Sequence, residues 1–95
     1  DRPATSLALV VNELVQNAVE HAFEGRHEGH IWINLEQEPA HWVIVVRDDG
    51  TGLAEGPGKH MGLKIVETLT REDLRGEFSL KSEAGTTATL RIPRP

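Results

Sequence analysis

The sequence predicts a two-layer α/β sandwich, in which a mixed, mostly antiparallel sheet carries helices on one face. Apolar residues recur at helical spacing in two segments, and each segment is followed by two stretches with strand patterns. The order helix, two strands, helix, two strands favours helices packed on a sheet. With 95 residues the chain can form one modest core. We therefore expect one domain over residues 1–95, as a fragment of a longer protein.

The first helix is predicted from Pro3 to about Phe23. Its apolar residues have three- and four-residue spacing: Leu7, Val10, Val11, Leu14, Ala18 and Ala22. Two strands follow. Residues 31–36 alternate between apolar and other side chains, whereas residues 41–47 form a nearly continuous apolar run, which is typical of a central strand covered on both faces. Trp32 and Trp42 fall on these neighbouring strands. They could face each other across the pair, or one could lie against a neighbouring domain, and we expect at least one of them to pack in the core.

The second half of the chain repeats this order. Residues 49–61 contain four glycines and a proline, and we expect a mobile loop there. Leu63, Ile65, Val66 and Leu69 indicate a shorter helix. The segments 75–81 and 86–93 then read as two strands joined by a turn at Glu83, Ala84 and Gly85.

Charge and composition exclude several classes of function. A net charge of -5 argues against nonspecific nucleic-acid binding, which needs clustered Lys and Arg. The absence of cysteine excludes disulfides and thiolate metal sites. No apolar run approaches the ~20 residues that span a bilayer. We expect a cytoplasmic domain without direct contact to nucleic acid or membrane.

The first helix carries three polar residues that could act together. Glu13, Asn17 and His21 are four residues apart, so their side chains should lie on one helix face. A carboxylate, an amide oxygen and an imidazole in such a column can hold a hydrated Mg²⁺ and the phosphates that it bridges. A solvated helix face would show the same spacing.

Three further motifs lie near the ends of predicted strands and helices. Asp48-Asp49-Gly50-Thr51-Gly52 follows the apolar strand, where a carboxylate could accept a hydrogen bond from an exocyclic amine such as that of adenine. An ordinary Asp-Gly turn is the alternative. The run Lys59-His60-Met61-Gly62-Leu63 leads into the second helix, whose free amides could bind phosphate beside the Lys59 cation. Gly85-Thr86-Thr87 opens the last strand, where a threonine hydroxyl could reach a purine.

Together and in this order, the four features resemble the N box, G1 box, G2 box and closing Gly-Thr motif of the ATP-binding catalytic domain of two-component sensor histidine kinases. The N-box resemblance covers residues 12–22, and the whole resemblance covers nearly the entire chain. The wording of the N box and the Asp73-Leu74-Arg75-Gly76 segment look like the HisKA_2 subgroup, akin to the HWE kinases. The resemblance implies the Bergerat ATP-binding sandwich, shared with gyrase, Hsp90 and MutL.

This resemblance also implies roles for individual residues. Asn17 would bind Mg²⁺, Asp48 would read the adenine amine, and Glu13 matches the position where gyrase-like ATPases activate water. Thr86 matches the adenine-side threonine of the family. The remaining expected nucleotide contacts are His21, Gly50, Gly52, Lys59, Gly62 and Leu63.

The sequence departs from the family pattern in places. His60 replaces the first glycine of the usual Gly-x-Gly-Leu, and Glu20 stands where many kinases have a basic residue. No phenylalanine lies between Phe23 and Phe78, so the F box is missing, and the lid between Gly52 and Gly62 is short. We therefore expect weak binding of ATP.

The resemblance predicts a protein-histidine kinase domain that binds ATP and Mg²⁺. In the intact kinase, the γ-phosphate would pass to a histidine on a separate dimerisation domain, with a response regulator downstream. The isolated fragment should not autophosphorylate efficiently. Two alternatives share the fold: an anti-sigma-factor or serine-kinase regulator, and a degenerate interaction module without turnover.

Overall fold

The computed structural model describes residues 2–22, 28–50, 61–82 and 84–94. Helix α1 spans Arg2–Asn17 and continues as a wider π-helical segment over Ala18–Ala22. Strands β1 (Ile31–Gln37) and β2 (His41–Asp48) come next, then helix α2 (Met61–Glu72) and strands β3 (Glu77–Ser82) and β4 (Thr86–Pro93). The predicted helices and strands are therefore present in the predicted order.

The four strands form one sheet in the order β1-β2-β4-β3, and every described pairing is antiparallel. The central strand β2 pairs Ile44 with Leu35 of β1 and with Leu90 of β4. Residues that are directly opposite point to the same face of a sheet. Alternate residues of all four strands therefore share the face to which Ile44 belongs.

The core lies between that face and the two helices. Val10 of α1, Val66 of α2 and Leu90 of β4 have no exposed surface. The other members of this apolar cluster are Leu14, Ile44, Val46, Leu74 and Ala88. Since both helices contribute to one cluster on one face of the sheet, the predicted two-layer sandwich is confirmed.

A polar contact joins the two helices at the edge of this core. The Ser6 hydroxyl on α1 donates a hydrogen bond of 2.6 Å to Oδ2 of Asp73, directly after α2. Ser6 is almost fully buried. Buried polar groups need hydrogen-bond partners, so this bond favours the packing position that holds the start of α1 next to the end of α2.

The first strand pair differs in part from the expectations. Strand β2 is central and the helices cover one of its faces; on the opposite face Val43 is 8% exposed whereas Arg47 is exposed, so that face is covered only in part. The tryptophans do not face each other, because the register pairs Trp32 with Arg47 and Trp42 with Gln37. Trp42 shares the helix-covered face with Ile44, whereas Trp32 lies on the outer face. The period of two along each strand places them on opposite sides.

Candidate functional site

The carboxylate of Asp48 lies at the last residue of β2, on the face covered by the helices. It is only 6% exposed. Its Oδ1 accepts a hydrogen bond from the backbone N–H of Gly50 at 2.9 Å and another from the N–H of Thr86 at 3.2 Å. Oδ2 accepts none from the described residues. One oxygen thus fixes the orientation of the carboxylate, and the other is available to a ligand.

The turn before β4 holds Thr86 against Asp48. These residues are 38 positions apart, but the β2–β4 register places them opposite each other. Gly85 has a φ of 113°, and a Cβ added there would lie 2.1 Å from the carbonyl oxygen of Asp48. Only glycine fits so close to a backbone oxygen with this φ. The Gly-Thr motif therefore supplies a backbone donor to Asp48 and permits the close approach of the two segments.

A second set of contacts fixes the chain where it leaves β2. Asp49 accepts hydrogen bonds from the His30 backbone N–H at 2.8 Å (Oδ1), while its Oδ2 lies 2.9 Å from Nδ1 of His30. The Asp49 N–H in turn donates to the His30 carbonyl at 3.3 Å. These contacts continue the β1–β2 ladder by one pair. They anchor Asp49 away from the helix-covered face while Asp48 points toward it.

His30 belongs to none of the sequence motifs described above, and its contact with Asp49 was not predicted. The signal was present: His30 directly precedes β1 and Asp49 directly follows β2, so an antiparallel pair brings them together. The His30 ring also stacks on Trp32, with centroids 5.6 Å apart, and the Arg47 guanidinium lies 4.1 Å from the Trp32 ring centroid. The strand pairing reveals this cluster of His30, Trp32, Arg47 and Asp49, whereas the Asp48-Asp49-Gly50 motif does not.

Asn17 ends the regular part of α1. Its Nδ2 is buried and has no hydrogen-bond partner among the described residues. Buried side-chain amides normally have partners, so this group is a candidate for contact with a ligand. Glu13 lies one α-helical turn earlier and is partly buried. Beyond Asn17 the helix widens at Ala18, and the side chain of His21 lies outside the described residues, so the expected column is described only for Glu13 and Asn17.

The family model of histidine kinase-, DNA gyrase B- and HSP90-like ATPases matches residues 3–95. The chain belongs to this ATPase family. The sensor histidine kinase PdtaS of Mycobacterium tuberculosis is 43% identical over 98 residues, which cover 95% of this chain and 19% of that protein. The chain thus spans about a fifth of the length of this relative.

A solved histidine kinase structure and an anti-sigma factor are also similar to this ATPase domain, but over different lengths of the chain. The blue-light activated histidine kinase of Erythrobacter litoralis EL346 superposes with a TM-score of 0.83 at 28% identity, over 96% of this chain and 30% of that one. An anti-sigma F factor of Bacillus cytotoxicus is 39% identical over 49 residues, which cover 52% of this chain and 34% of that protein. The similarity to the histidine kinases therefore extends over much more of the chain.

Only some of the other residues that are expected to contact nucleotide lie within the described part of the chain. Gly50 uses its backbone N–H to orient Asp48. Leu63, in the first turn of α2, packs against the apolar core, and Gly62 precedes it in the same helix. Gly52, Lys59 and the rest of 51–60, which form most of the mobile loop expected over 49–61, lie outside the described residues, as does the side chain of His21.

The described residues are compatible with a magnesium ion that is held together with nucleotide. Within ranges 4–20, 28–50, 63–82 and 84–94, no three His, Cys, Asp or Glu side chains converge on a metal site. Mg²⁺ in phosphate-transfer sites typically has few protein oxygen ligands and takes the others from water and phosphates. The unpartnered atom of Asn17 is Nδ2, a donor that can bind a phosphate oxygen but does not ligate Mg²⁺, so ligation of Mg²⁺ by the Asn17 amide oxygen stays a prediction.

None of the described helices is long and apolar enough to cross a membrane.

Proposed function

We propose that this chain acts as one ATP-binding domain of a longer sensor histidine kinase. In the intact kinase it would bind Mg·ATP and present the γ-phosphoryl group to a histidine on a separate dimerisation domain. A response regulator would then receive the phosphoryl group. The two similar proteins that match most of the chain are a sensor histidine kinase and a blue-light activated histidine kinase, which supports this assignment.

The observation that carries the proposal is the half-satisfied carboxylate of Asp48. The amides of Gly50 and Thr86 both bind Oδ1 and leave Oδ2 as an acceptor at the end of β2. An acceptor at a buried position can pair with the exocyclic amine of adenine. It would repel guanine, which presents an oxygen at the equivalent position. Asp48 would therefore both bind the base and distinguish adenine from guanine.

Asn17 and Glu13 would act at the phosphate end of the nucleotide. The Asn17 amide oxygen is the proposed protein ligand of Mg²⁺, and Glu13 lies one helical turn away. Bound Mg²⁺ would neutralise charge on the phosphates during transfer. The protein's contribution is chiefly to hold the nucleotide in position, because phosphoryl transfer requires alignment more than a covalent protein nucleophile.

The anti-sigma F factor similarity supports a second candidate, a regulator that binds a sigma factor or phosphorylates a serine. That similarity covers about half of the chain, so the histidine kinase remains the preferred assignment. Sigma-factor binding by this chain would favour the second candidate, and transfer to a histidine in the longer protein would favour the first.

The decisive experiment is a calorimetric titration of the chain with a nonhydrolysable ATP analogue and Mg²⁺, up to millimolar nucleotide. In Asp48→Asn, Oδ1 must still accept the two backbone N–H bonds, so an NH₂ group replaces the free Oδ2. The new NH₂ donor of residue 48 then faces the exocyclic amine donor of adenine. An unpaired buried donor costs about 1–3 kcal/mol, so ATP affinity should fall roughly 10- to 100-fold.

The same variant should bind the corresponding GTP analogue better than the unmodified chain does, because its new donor can pair with the guanine oxygen. Glu77→Gln, the same carboxylate-to-amide change at an exposed residue of β3, is the matched control and should bind as the unmodified chain does. Equal ATP affinity in Asp48→Asn and Glu77→Gln would refute the proposed role of Asp48.

A further inference from the structure

His30 and Asp49 form a pair directly beyond Ile31 and Asp48, the last paired residues of β1 and β2 at this end of the sheet. In a hydrogen-bonded antiparallel pair, each residue normally donates its backbone N–H to the backbone carbonyl of the other. Here the N–H of Asp49 donates to the His30 carbonyl at 3.3 Å, but the N–H of His30 donates to the side-chain Oδ1 of Asp49 at 2.8 Å. The carboxylate thus takes the place of a backbone carbonyl, which lets the chain leave the sheet at Asp49.

The second carboxylate oxygen of Asp49 contacts the His30 ring. Its Oδ2 lies 2.9 Å from Nδ1 of His30. The ring is supported by Trp32, on which it stacks with centroids 5.6 Å apart and an angle of 23° between the planes. Arg47, which pairs with Trp32 across the strands, places its guanidinium 4.1 Å from the Trp32 ring centroid. His30 therefore binds both oxygens of Asp49, and contacts on the outer face of the sheet hold its ring in place.

The position of Asp49 determines the turn that orients Asp48. The backbone N–H of Gly50 donates to Oδ1 of Asp48 at 2.9 Å, which is shorter than the 3.2 Å bond from Thr86. The peptide unit that carries this N–H begins at Asp49, so rotation of the Asp49 backbone would move the N–H away from Asp48. Glycine at position 50 offers little resistance to such a movement, because it accepts a wide range of backbone angles.

We propose that His30 is a positioning residue for nucleotide binding: it holds Asp49, and through Asp49 the Gly50 amide that orients the carboxylate of Asp48. The inference rests on the proposed function, in which Oδ2 of Asp48 accepts a hydrogen bond from the adenine amine. His30 acts at a distance from the base, because its ring lies on the outer face with Trp32 whereas Asp48 points to the helix-covered face.

Loss of the His30 ring would lower the affinity for ATP without removing any contact to the nucleotide. The backbone N–H of residue 30 would still bind Oδ1 of Asp49, but Oδ2 would lose its contact and Asp49 could turn. The Asp48 carboxylate would then adopt its binding orientation for a smaller fraction of the time. Apparent affinity falls in proportion to the fraction of molecules in the binding-competent state.

The first test is an NMR titration of the variants with a nonhydrolysable ATP analogue and Mg²⁺. Because an exposed ion pair contributes little, His30→Ala should weaken binding by about 2- to 5-fold. His30→Asn should keep most of the affinity, since its Nδ2 is bonded to Cγ as Nδ1 of histidine is and can donate to Asp49. The matched control, Arg91→Ala, removes a 2.9 Å contact to Glu38 and should bind as the unmodified chain does. Circular dichroism checks that all variants are folded.

Purine riboside triphosphate, which is ATP without the exocyclic amine, separates positioning from general damage to the site. It cannot donate a hydrogen bond to Oδ2 of Asp48, so His30→Ala should leave its affinity unchanged. An equal loss of affinity for both nucleotides would show structural damage and overturn the proposal. So would an ATP affinity of His30→Ala that equals that of Arg91→Ala.

The Gly50 amide provides a test that needs no nucleotide. In His30→Ala its hydrogen should exchange faster with solvent, because the bond to Asp48 is formed less often, and Arg91→Ala should leave the exchange rate unchanged. An unchanged rate in His30→Ala would refute the coupling between His30 and Gly50.

Asp48→Asn distinguishes a failure of this inference from a failure of the proposed function. If Asp48→Asn bound ATP as Glu77→Gln does, the proposed role of Asp48 would fail, and the role of His30 with it. If Asp48→Asn lost affinity while His30→Ala kept it, only the role of His30 would be wrong.

Discussion

Replacing Gly85 by alanine should damage both the fold and the candidate site. The residue has a φ of 113°, a backbone conformation that residues other than glycine rarely adopt. The added Cβ would also lie 2.1 Å from the carbonyl oxygen of Asp48. The clashing atom belongs to the backbone of a central strand, so it cannot move as the end of a flexible side chain would. The turn before β4 must shift instead.

The loss of stability can be estimated from the backbone strain at residue 85 and from the hydrogen bond that the shifted turn would weaken. A residue held in an unfavourable backbone region costs about 1–3 kcal/mol. Displacement of the turn would also weaken the 3.2 Å bond from Thr86 to Asp48, and a typical hydrogen bond contributes roughly 1 kcal/mol. We expect the free energy of unfolding to fall by about 3 kcal/mol. For a domain of this size, that lowers the melting temperature by roughly 15 °C.

Urea unfolding followed by tryptophan fluorescence and circular dichroism would measure this change. The matched control is Gly29→Ala, the same substitution at an exposed glycine before β1, which should change stability by no more than about 0.5 kcal/mol. Calorimetric titration should also show weaker nucleotide binding in Gly85→Ala only. If Gly85→Ala were as stable as Gly29→Ala, the reasoning about this close approach would be wrong.

Three further substitutions test the core, the helix contact and the surface. Leu90→Ala removes a fully buried side chain and should cost about 2–5 kcal/mol in urea unfolding; a loss below 1 kcal/mol would show that Leu90 is not in a packed core. Ser6→Ala should cost about 1–3 kcal/mol by thermal unfolding, because the part-buried Asp73 loses a donor, and an unchanged melting temperature would contradict that. Arg91→Ala should cost under about 1 kcal/mol, since its bond to Glu38 is solvent-exposed, and a larger loss would indicate a contribution beyond this ion pair.

The secondary structure was predictable because each element has a local signal. The strands follow from the alternation in β1, the apolar run in β2 and the turn residues between strands, and β4 spans the predicted residues 86–93. The first helix was predicted as one regular element, but it widens at Ala18. The apolar spacing continues through this point, so the pattern does not distinguish a π-helical segment from an α-helical one.

The family resemblance predicts Asp48 and Thr86 as site residues, but it does not predict the contact between them. The family resemblance named both residues, and the β2–β4 register is what places them opposite each other. The resemblance also assigned Thr86 a role through its hydroxyl, whereas the structure shows its backbone N–H bound to Asp48. Whether the hydroxyl contacts a purine stays a prediction.

The sequence by itself determined the order and type of the elements, the placement of the helices on the sheet and the residues that resemble a nucleotide site. These follow from periodicity and from motifs within short stretches of chain. Only the tertiary structure decided the register between strands, and with it the His30–Asp49 anchor and the separation of Trp32 from Trp42. The reason is that pairing between strands depends on contacts between residues far apart in the chain, which alternation within each strand does not specify.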